Sequence, residues 1–483
     1  MHALSYSIRP LLVLKYFGQL CIVLALLTLV PLVVSVLASD YNVTIRYSIV
    51  VVGVFVTGFF LQRLPTPKRI QTNEAMVITA LAFLFAPMVM TWPTMASGLS
   101  FTDALFETIS GITTTGLTVT ASVADKPAIF LFSRAWMQWI GGLGIVIFSV
   151  AIMIRPGLAA KRIGDLGDYE EDLVGSTRAH ARRVIIVYSI LTGFGIVALG
   201  FLGAGWFNSV LYSLSAVSTG GFSPHDASLA VFHSQWLQVV VILLSVSGAI
   251  PLVLYFRLFK EDGRVLIRDR QLQGLLISGL VATLLLAWFL FSQDGFNWIQ
   301  ALRHGILNAF SAQSTTGFST LDISQLNAGA KLTLIFSMFL GGGIGSTAGG
   351  IKILRLLILA QVLYIFLQRA SMPKQAVAEA SLGRRRLETD EVQIALSIVI
   401  LFLTFIAISW LIFVGMGHNP LDSLFEVVSA IGTVGLSTGI SAPELHPILK
   451  GVLCVDMLLG RLEIITWLVL FYPWTWIGRR LEE

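Results

Sequence analysis

The sequence predicts an all-helical polytopic membrane protein in which four helix–loop–helix repeats surround a central axis and two further helices precede them. Three observations predict this fold class: an apolar composition, ten long apolar segments, and one short motif that occurs four times. Of the 483 residues, 55% are hydrophobic and only 12% are charged, which is about half the charged fraction of a soluble domain. Such a composition is typical of a chain that crosses a bilayer many times.

The apolar segments are long enough to cross a bilayer as helices, which takes about 20 residues each. The first is too long for a signal-peptide core and is expected to remain as a helix. Cys21 and Cys454 lie in apolar runs and are interpreted as small buried residues, not as a disulfide or metal ligands. The ten spans are expected near 11–38, 45–62, 74–92, 128–154, 184–203, 233–256, 272–291, 331–368, 392–415 and 447–473.

Lysine and arginine are distributed unequally between the loops. If the N-terminus lies inside, 23 of the 32 fall on the cytoplasmic side and six on the outer side or at outer helix ends. This asymmetry predicts ten spans with both termini inside, and it explains the net charge of +5 without a nucleic-acid partner. The outer segments are acidic, which either concentrates cations or reflects ordinary solvated loop charge; the residues are Asp103, Asp125, Asp226, Asp294, Asp322, Asp422 and Glu444.

Four shorter apolar pieces, of roughly 10–14 residues, are too short to span and are expected to be re-entrant. They lie near 101–112, 206–217, 299–313 and 420–431. Each is followed by the frame Ser-x-x-x-Thr-x-Gly and then by a full span. The four copies are SGITTTG (Ser110 to Gly116), SAVSTGG (Ser215 to Gly221), SAQSTTG (Ser311 to Gly317) and SAIGTVG (Ser429 to Gly435). Such recurrence is the signature of an internal repeat.

Loops at membrane depth survive only where they are buried in protein or line a water-filled path. Four equivalent loops around an axis would line such a path, with glycine allowing the carbonyls to face inward. The negative C-terminal end of each short helix would favour a cation there. The other interpretation is four helix-breaking turns that bind no ion. The candidate cation ligands are Thr114, Thr115, Gly116, Thr219, Gly220, Gly221, Thr315, Thr316, Gly317, Thr433, Val434 and Gly435.

The second helix of each repeat carries a further glycine, expected on the inner half of the path, where it serves either a gate or close helix packing. These are Gly141, Gly248, Gly342 and Gly460. In the third repeat six glycines fall within residues 341–350, in GGGIGSTAGGIK, and cannot hold a helix well. The spacing does not fit a nucleotide-binding loop. A loop able to obstruct the path is predicted, with gate residues Gly342, Gly343, Gly345, Gly349, Gly350 and Lys352.

Arg461 follows the glycine of the fourth repeat, deep in a span. A charged residue at that depth usually faces a cavity or a partner and is a functional candidate. It is expected to form a positive barrier to cations below the loops, to which Lys352 is expected to add. The alternative is a structural ion pair with Glu463 or Asp456.

The chain resembles the Trk/Ktr/HKT superfamily of potassium transporters, and within it the bacterial TrkH-type potassium uptake subunits. The most specific motifs are MQWIGGLGI (Met137 to Ile145), GGGIGSTAGGIK (Gly341 to Lys352) and LLGRLEIITWLVLF (Leu458 to Phe471). The resemblance implies four helix–pore-loop–helix repeats around a central pore, with two extra N-terminal helices. It also implies an intramembrane gating loop, a pore-facing Arg461, and a K⁺ filter with one glycine per repeat at Gly116, Gly221, Gly317 and Gly435.

The same resemblance implies a homodimer in the bacterial inner membrane that works with a cytosolic ring of TrkA-type nucleotide-binding subunits. The basic inner segments near 155–183 and 369–391 are candidates for docking that ring. The expected division of the chain is 1–70 for the N-terminal extension, 71–160 for repeat 1, 161–262 for repeat 2, 263–372 for repeat 3 and 373–483 for repeat 4.

Three functions follow from these observations. The first is a gated potassium-selective pore, with K⁺ as the transported ion and no organic cofactor. The second is a secondary transporter that couples K⁺ to H⁺ or Na⁺. Buried acids on the spans would favour such coupling, and Asp456 and Glu463 are the two expected candidates. A less selective K⁺/Na⁺ channel is a further alternative. Repeats that all run in the same sense favour a pore over the inverted repeats of many carriers. The third, a membrane-embedded enzyme, lacks any catalytic or metal-binding motif.

Overall fold

The computed structural model describes residues 7–65, 70–153, 173–260, 268–371, 381–382 and 385–477, and these ranges are almost entirely helical. Helices α1 (Pro10–Leu37) and α2 (Tyr41–Leu61) form a hairpin ahead of the repeats. The two helices approach closely because Gly18 and Gly58 face each other: a Cβ at Gly58 would lie 2.7 Å from the carbonyl oxygen of Gly18. The predicted two-helix extension is therefore a tightly packed unit.

Four repeats follow the hairpin. The first contains α3 (Thr72–Thr94), α4 (Phe101–Ile112) and α5 (Ala128–Met153), and the second contains α6 (Leu173–Phe201), α7 (Trp206–Val217), α8 (Gln235–Ala249) and α9 (Leu252–Lys260). The third contains α10 (Arg270–Ser292), α11 (Trp298–Gln313), α12 (Ala328–Leu340) and α13 (Ile353–Ala370). The fourth contains α14 (Thr389–Gly415), α15 (Pro420–Ile431), α16 (Pro447–Arg461), α17 (Glu463–Phe471) and α18 (Pro473–Trp476).

The four short helices expected from the sequence are confirmed as α4, α7, α11 and α15. Three begin at a capping side chain that accepts a backbone N–H of the first turn, namely Ser100, Asn297 and Asn419. The C-terminal halves of α4, α7 and α15 are buried among the other helices, and that of α11 is buried except at Ile306 and, in part, Phe310. Each short helix therefore enters the protein and ends inside it.

Three of the expected spans are interrupted. The break in the third repeat is confirmed, since α12 ends at Leu340 and α13 begins at Ile353. The segment expected to span at 233–256 is bent, because α8 and α9 meet at an angle of 93°. Ile250 is extended there, as the residue before a proline prefers. The segment expected to span at 447–473 is interrupted at Leu462, beside Glu463 with φ of +57°.

Eight helices in the described ranges are long and apolar enough to cross a membrane, or nine if α8 and α9 together form one bent span. Their outward faces expose large aliphatic side chains, such as Val33, Ile277 and Leu411, as lipid-facing helices do. The protein is therefore an integral membrane protein. One small departure from the all-helical prediction is a two-stranded antiparallel hairpin of β1 (Ser381–Leu382) and β2 (Arg385–Arg386).

Several expectations fall outside the described residues. These include the repeat boundaries at 160/161, 262/263 and 372/373, and most of the basic inner segments near 155–183 and 369–391.

Candidate functional site

The four frame glycines lie in one closed ring. Each has a positive φ, between 76° and 94°, which side chains other than glycine rarely adopt. A Cβ added to any of them would overlap the carbonyl oxygen of the residue before the frame glycine in the next repeat. The pairs run once around the ring: Gly116 meets Gly220, Gly221 meets Thr316, Gly317 meets Val434 and Gly435 meets Thr115. The sequence predicted the equivalence of the loops, and the structure brings them together in chain order.

Two residues before each glycine stands a threonine that is also left-handed. The φ angles of Thr114, Thr219, Thr315 and Thr433 lie between 51° and 55°. For a β-branched residue this conformation is rare and strained. Its fourfold occurrence, together with complete burial of all four threonines, shows that the surrounding protein imposes one backbone shape on all four loops.

The serine of the frame holds the loop to its own short helix. In every repeat its carbonyl oxygen accepts the N–H of the residue before the frame glycine, at 2.8 to 3.0 Å. In repeats 1 and 4 the hydroxyl of Ser110 and of Ser429 also accepts the glycine N–H at 3.0 Å. The serine hydroxyl therefore holds the loop in repeats 1 and 4, whereas the carbonyl bond of all four repeats does not depend on the side chain.

A second set of loop-holding residues was missed by the sequence analysis. Nine residues before each frame glycine, a hydrogen-bonding side chain contacts the outer part of the same loop. Glu107 accepts Val119 N–H at 2.9 Å, and Glu426 accepts Thr438 N–H at 2.9 Å. In the other repeats Asn308 accepts Thr320 N–H at 3.1 Å, and the hydroxyl of Tyr212 lies 3.0 Å from that of Ser223. The signal was the polar character of this position in all four repeats.

The glycine-rich loop 341–352 lies against the inner side of the ring. Gly349 donates its N–H to the hydroxyl of Thr315 at 2.7 Å, and Gly350 donates to the carbonyl of Gly432 at 3.1 Å. Thr347 donates its hydroxyl to the carbonyls of Val217 and Gly248, in the second repeat. The loop therefore contacts repeats 2, 3 and 4 directly beneath the four loops.

Within the loop, the predicted gate residues differ in their surroundings. Gly349 has no room for a side chain beside Thr433, and Gly342 packs against Ala348. Gly343 faces Pro251, whereas Gly345 has open space around it. Gly350 is left-handed. Lys352 is also left-handed and donates to the carbonyl of Ala348, four residues before it.

The further glycines of the second helices serve close packing in three repeats. A Cβ at Gly141, Gly248 or Gly460 would overlap the carbonyl oxygen of the last residue of that repeat's own short helix. These last residues are Ile112, Val217 and Ile431. Gly342 instead faces Ala249 and Ala348. The packing interpretation therefore accounts for Gly141, Gly248 and Gly460, at the level of the short-helix C-termini.

Arg461 is buried and binds the glycine-rich loop. Its Nη1 donates to the carbonyl of Thr347 at 2.8 Å and its Nη2 donates to the carbonyl of Gly141 at 3.1 Å. The alternative of an ion pair with a nearby acid is wrong. Glu463 pairs with Arg355 at 2.6 Å, and Asp456 accepts from Ser409. Among the described residues no acid neutralises Arg461, so its charge faces backbone carbonyls only.

Two of the outer acidic residues join neighbouring repeats. Lys331 of repeat 3 pairs with Asp422 of repeat 4 at 2.8 Å, and Lys450 of repeat 4 pairs with Asp103 of repeat 1 at 2.5 Å. These two carboxylates are therefore neutralised and do not contribute to an acidic mouth. The described residues contain no group of three His, Cys, Asp or Glu side chains that could hold a metal ion.

Comparison with known proteins places this arrangement in context. The model of the TrkH family, described as cation transport protein, matches residues 43–474. An uncharacterized cation transporter of Methanocaldococcus jannaschii is 30% identical over 464 residues, covering 95% of this chain and 94% of its own. The Trk system potassium uptake protein TrkI of Halomonas elongata is 30% identical over 482 residues and covers 96% of both chains.

A solved structure has the same fold. The crystal structure of the potassium transporter TrkH from Vibrio parahaemolyticus superposes with a TM-score of 0.87 at 24% identity, covering 97% of this chain and 100% of that one. The fold resemblance therefore extends over essentially the whole molecule.

Proposed function

The chain belongs to the TrkH family of cation transport proteins, and we propose that it takes up potassium through the ring of four loops. The observation that supports this proposal best is the closed ring of frame glycines, each of which lacks a side chain where the next loop's carbonyl oxygen lies. Rings of backbone carbonyls replace the hydration shell of a potassium ion in selective filters. The relatives named as potassium uptake proteins support the same ion.

In this mechanism the ion loses water at the loops and is coordinated by their carbonyls. The twelve candidate ligands are those around Gly116, Gly221, Gly317 and Gly435 named from the sequence. Each of the short helices α4, α7, α11 and α15 ends four residues before its frame glycine. Their C-terminal ends carry partial negative charge, which stabilises a cation between them.

The glycine-rich loop and Arg461 form the gate. The loop lies under the ring and is bonded to it through Thr315 and Gly432. Arg461 fixes the loop through Thr347 and adds a positive charge that opposes cation passage. For conduction the loop must move aside, and its glycines Gly342, Gly343, Gly345, Gly349 and Gly350 supply the backbone freedom.

Coupled transport is the second candidate. Asp456 favours it because this residue is 1% exposed and, within the described part of the chain, its carboxyl group accepts from Ser409 while its second oxygen has no hydrogen bond. An unpaired carboxyl group inside the membrane is a place where a proton or a second cation can bind. A K⁺/Na⁺ channel of lower selectivity is the remaining alternative.

The membrane, orientation and partners that we propose are those implied by the resemblance to the family. We place it in the bacterial inner membrane with both termini inside, as a homodimer that docks on a TrkA-type regulatory ring. The excess of Lys and Arg on the inner segments supports this orientation.

Flux measurements in liposomes test the function. The purified chain is reconstituted alone, and K⁺ and Na⁺ flux are recorded under matched gradients. Potassium flux well above sodium flux, without a proton gradient, supports the selective pore. Equal sodium flux contradicts selectivity, and flux only with a proton gradient moves coupled transport to first place. If the chain alone is silent, repeating the assay with a nucleotide-binding TrkA-type subunit decides whether a partner is needed.

A further inference from the structure

The loop of the second repeat breaks the pattern of the ring at one position. Ahead of the frame glycine stand Thr115, Thr316 and Val434 in the other repeats, but Gly220 in the second. Gly220 does not have the positive φ of the frame glycines. Its backbone conformation therefore does not require glycine, and another cause must account for the missing side chain.

The cause is Gln138, on α5 of the first repeat. A Cβ at Gly220 would lie 2.8 Å from Cγ of Gln138 and closer still to its amide group, and its three nearest neighbours would all be atoms of this side chain. Gln138 is completely buried. It therefore occupies the space in which the other loops carry their own side chain.

Both ends of the Gln138 amide bind the second loop. Its Nε2 donates to the carbonyl of Gly220 at 2.5 Å, and its Oε1 accepts the N–H of Phe222 at 3.1 Å. These two bonds bracket Gly221, the frame glycine. A carbonyl oxygen has two lone pairs, so the Gly220 carbonyl can hold Gln138 with one and still face the ring with the other.

Arg134, one turn before Gln138 on the same helix, holds the same loop from its outer side. Its guanidinium lies over the ring of Phe222 at 3.7 Å and donates to Glu107 at 3.0 Å. In the first and third loops the residue that corresponds to Gly220 is held by its own loop instead. The hydroxyl of Thr115 lies 2.8 Å from that of Thr113, and Thr316 has the same contact with Ser314. The second loop alone depends on another repeat for this support.

We propose that Gln138 is a positioning residue that sets the discrimination between K⁺ and Na⁺ by fixing the Gly220 carbonyl in the ring. This inference rests on the proposed potassium function. Without Gln138 the second loop has no local side-chain contact at Gly220, and its carbonyl is free to move inward. A filter with a mobile carbonyl can adapt to the smaller sodium ion, so discrimination falls.

The test uses three variants of the full chain in liposomes. Gln138→Met keeps the volume but removes both hydrogen bonds, and we expect the K⁺/Na⁺ permeability ratio to fall at least about fivefold while potassium flux persists. Gly220→Thr alone is expected to impair flux about tenfold, because its side chain overlaps Gln138. The double variant Gln138→Ala with Gly220→Thr rebuilds the Thr-Thr-Gly order of repeats 1 and 3. It is expected to recover flux and selectivity to within about twofold of the parent, a strongly non-additive result.

The matched control is Ser245→Ala. Ser245 stands three residues before Gly248, as Gln138 stands three before Gly141, but its hydroxyl binds only Val241 in its own helix. We expect its permeability ratio to remain that of the parent. An unchanged ratio in Gln138→Met, or no recovery in the double variant, overturns the inference. The proposed function is judged separately, by the potassium selectivity of the parent chain in the same assay.

Discussion

Two glycines of the fourth loop have nearly the same φ angle but different surroundings. Gly435 has φ of +94° and faces the carbonyl of Thr115, whereas Gly439 has φ of +92° and open space within 4 Å. A side chain at either position would therefore strain the backbone to a similar extent. Only Gly435 adds an overlap with the neighbouring loop.

Alanine variants of these two glycines distinguish the effect of the contact within the ring from the effect of backbone strain. Gly435→Ala is expected to reduce potassium flux at least about tenfold, because the added methyl group pushes the Thr115 carbonyl out of the ring. Gly439→Ala carries the same left-handed cost of roughly 1–2 kcal/mol and is expected to retain most of the flux. Liposome flux at equal protein content measures both. Equal losses in the two variants would show that strain, not the ring, limits transport.

The two buried glutamates nine residues before a frame glycine have equivalent places but different partners. Glu107 binds the outer part of its loop and also Arg134, which is 2% exposed. Glu426 binds Ser441 and Thr438, and no cation among the residues that the structure describes. The consequences of removing each carboxylate should therefore differ.

We expect Glu107→Ala to destabilise the protein by about 3–5 kcal/mol, because it leaves Arg134 buried without its anion. Glu426→Ala leaves only neutral donors unpaired, at a cost of about 1–3 kcal/mol. Thermal melting in detergent gives the comparison. A larger drop in melting temperature for Glu426→Ala would contradict this account of the two sites.

At the scale of elements, the proposed gate lies where two broken helices meet. The glycine-rich loop interrupts the third repeat, and Arg461 ends α16 just before the break at Leu462 in the fourth. Below the loop, Arg355 of α13 pairs with Glu463 of α17 at 2.6 Å. The two breaks are thus joined by the bond between Arg461 and Thr347 and by the ion pair between Arg355 and Glu463. Movement of the loop away from the ring would require that the hydrogen bond from Arg461 to the Thr347 carbonyl be broken.

Substitution of Arg461 tests this element. Arg461→Ala removes both the positive barrier and the bond to the loop, and we expect the potassium flux of the chain alone to rise about tenfold. Arg461→Lys keeps the charge but cannot donate to two carbonyls in the same way, so a smaller rise is expected. Potassium flux is compared for the parent and the two variants at equal protein content in the liposomes. An unchanged flux in Arg461→Ala would exclude a role for this residue in closing the path.

At the scale of the whole molecule, the ring is closed by contacts between the last repeat and the first. Gly435 faces Thr115 within the ring, and Lys450 pairs with Asp103 at its outer end. The two helices α1 and α2 stand outside this closure, against the first repeat. A single chain thereby achieves the arrangement that separate subunits would need symmetry to form.

The proposed orientation is open to direct labelling. Ser292 ends α10 on the predicted outer side, Ser371 follows α13 on the predicted inner side, and both are exposed. We expect Ser292→Cys to react with an impermeant thiol reagent in intact cells, and Ser371→Cys to react only after permeabilisation. Cys21 is buried and Cys454 is partly buried, so the parent chain gives a low background. The reverse pattern would invert the topology.

Much of this protein was predictable because the signals are local. The four short helices were predicted to within a residue, since apolar runs of that length cannot span a membrane. The break at 341–352 follows from glycine content, and the ring glycines from a motif repeated within single loops. The bend between α8 and α9 was missed although Pro251 marks it, because the run of apolar residues continues across the proline.

The side-chain contacts that hold the ring and the glycine-rich loop join distant parts of the chain, and they became visible only in the tertiary structure. Gln138 meets Gly220 across 82 residues, Arg461 meets Gly141 across 320, and Lys450 meets Asp103 across 347. Composition and spacing carry no information on which side chain fills a gap in another repeat. The elements and their fourfold order follow from local sequence patterns, whereas packing around the axis determines which residues hold the ring and which hold the proposed gating loop.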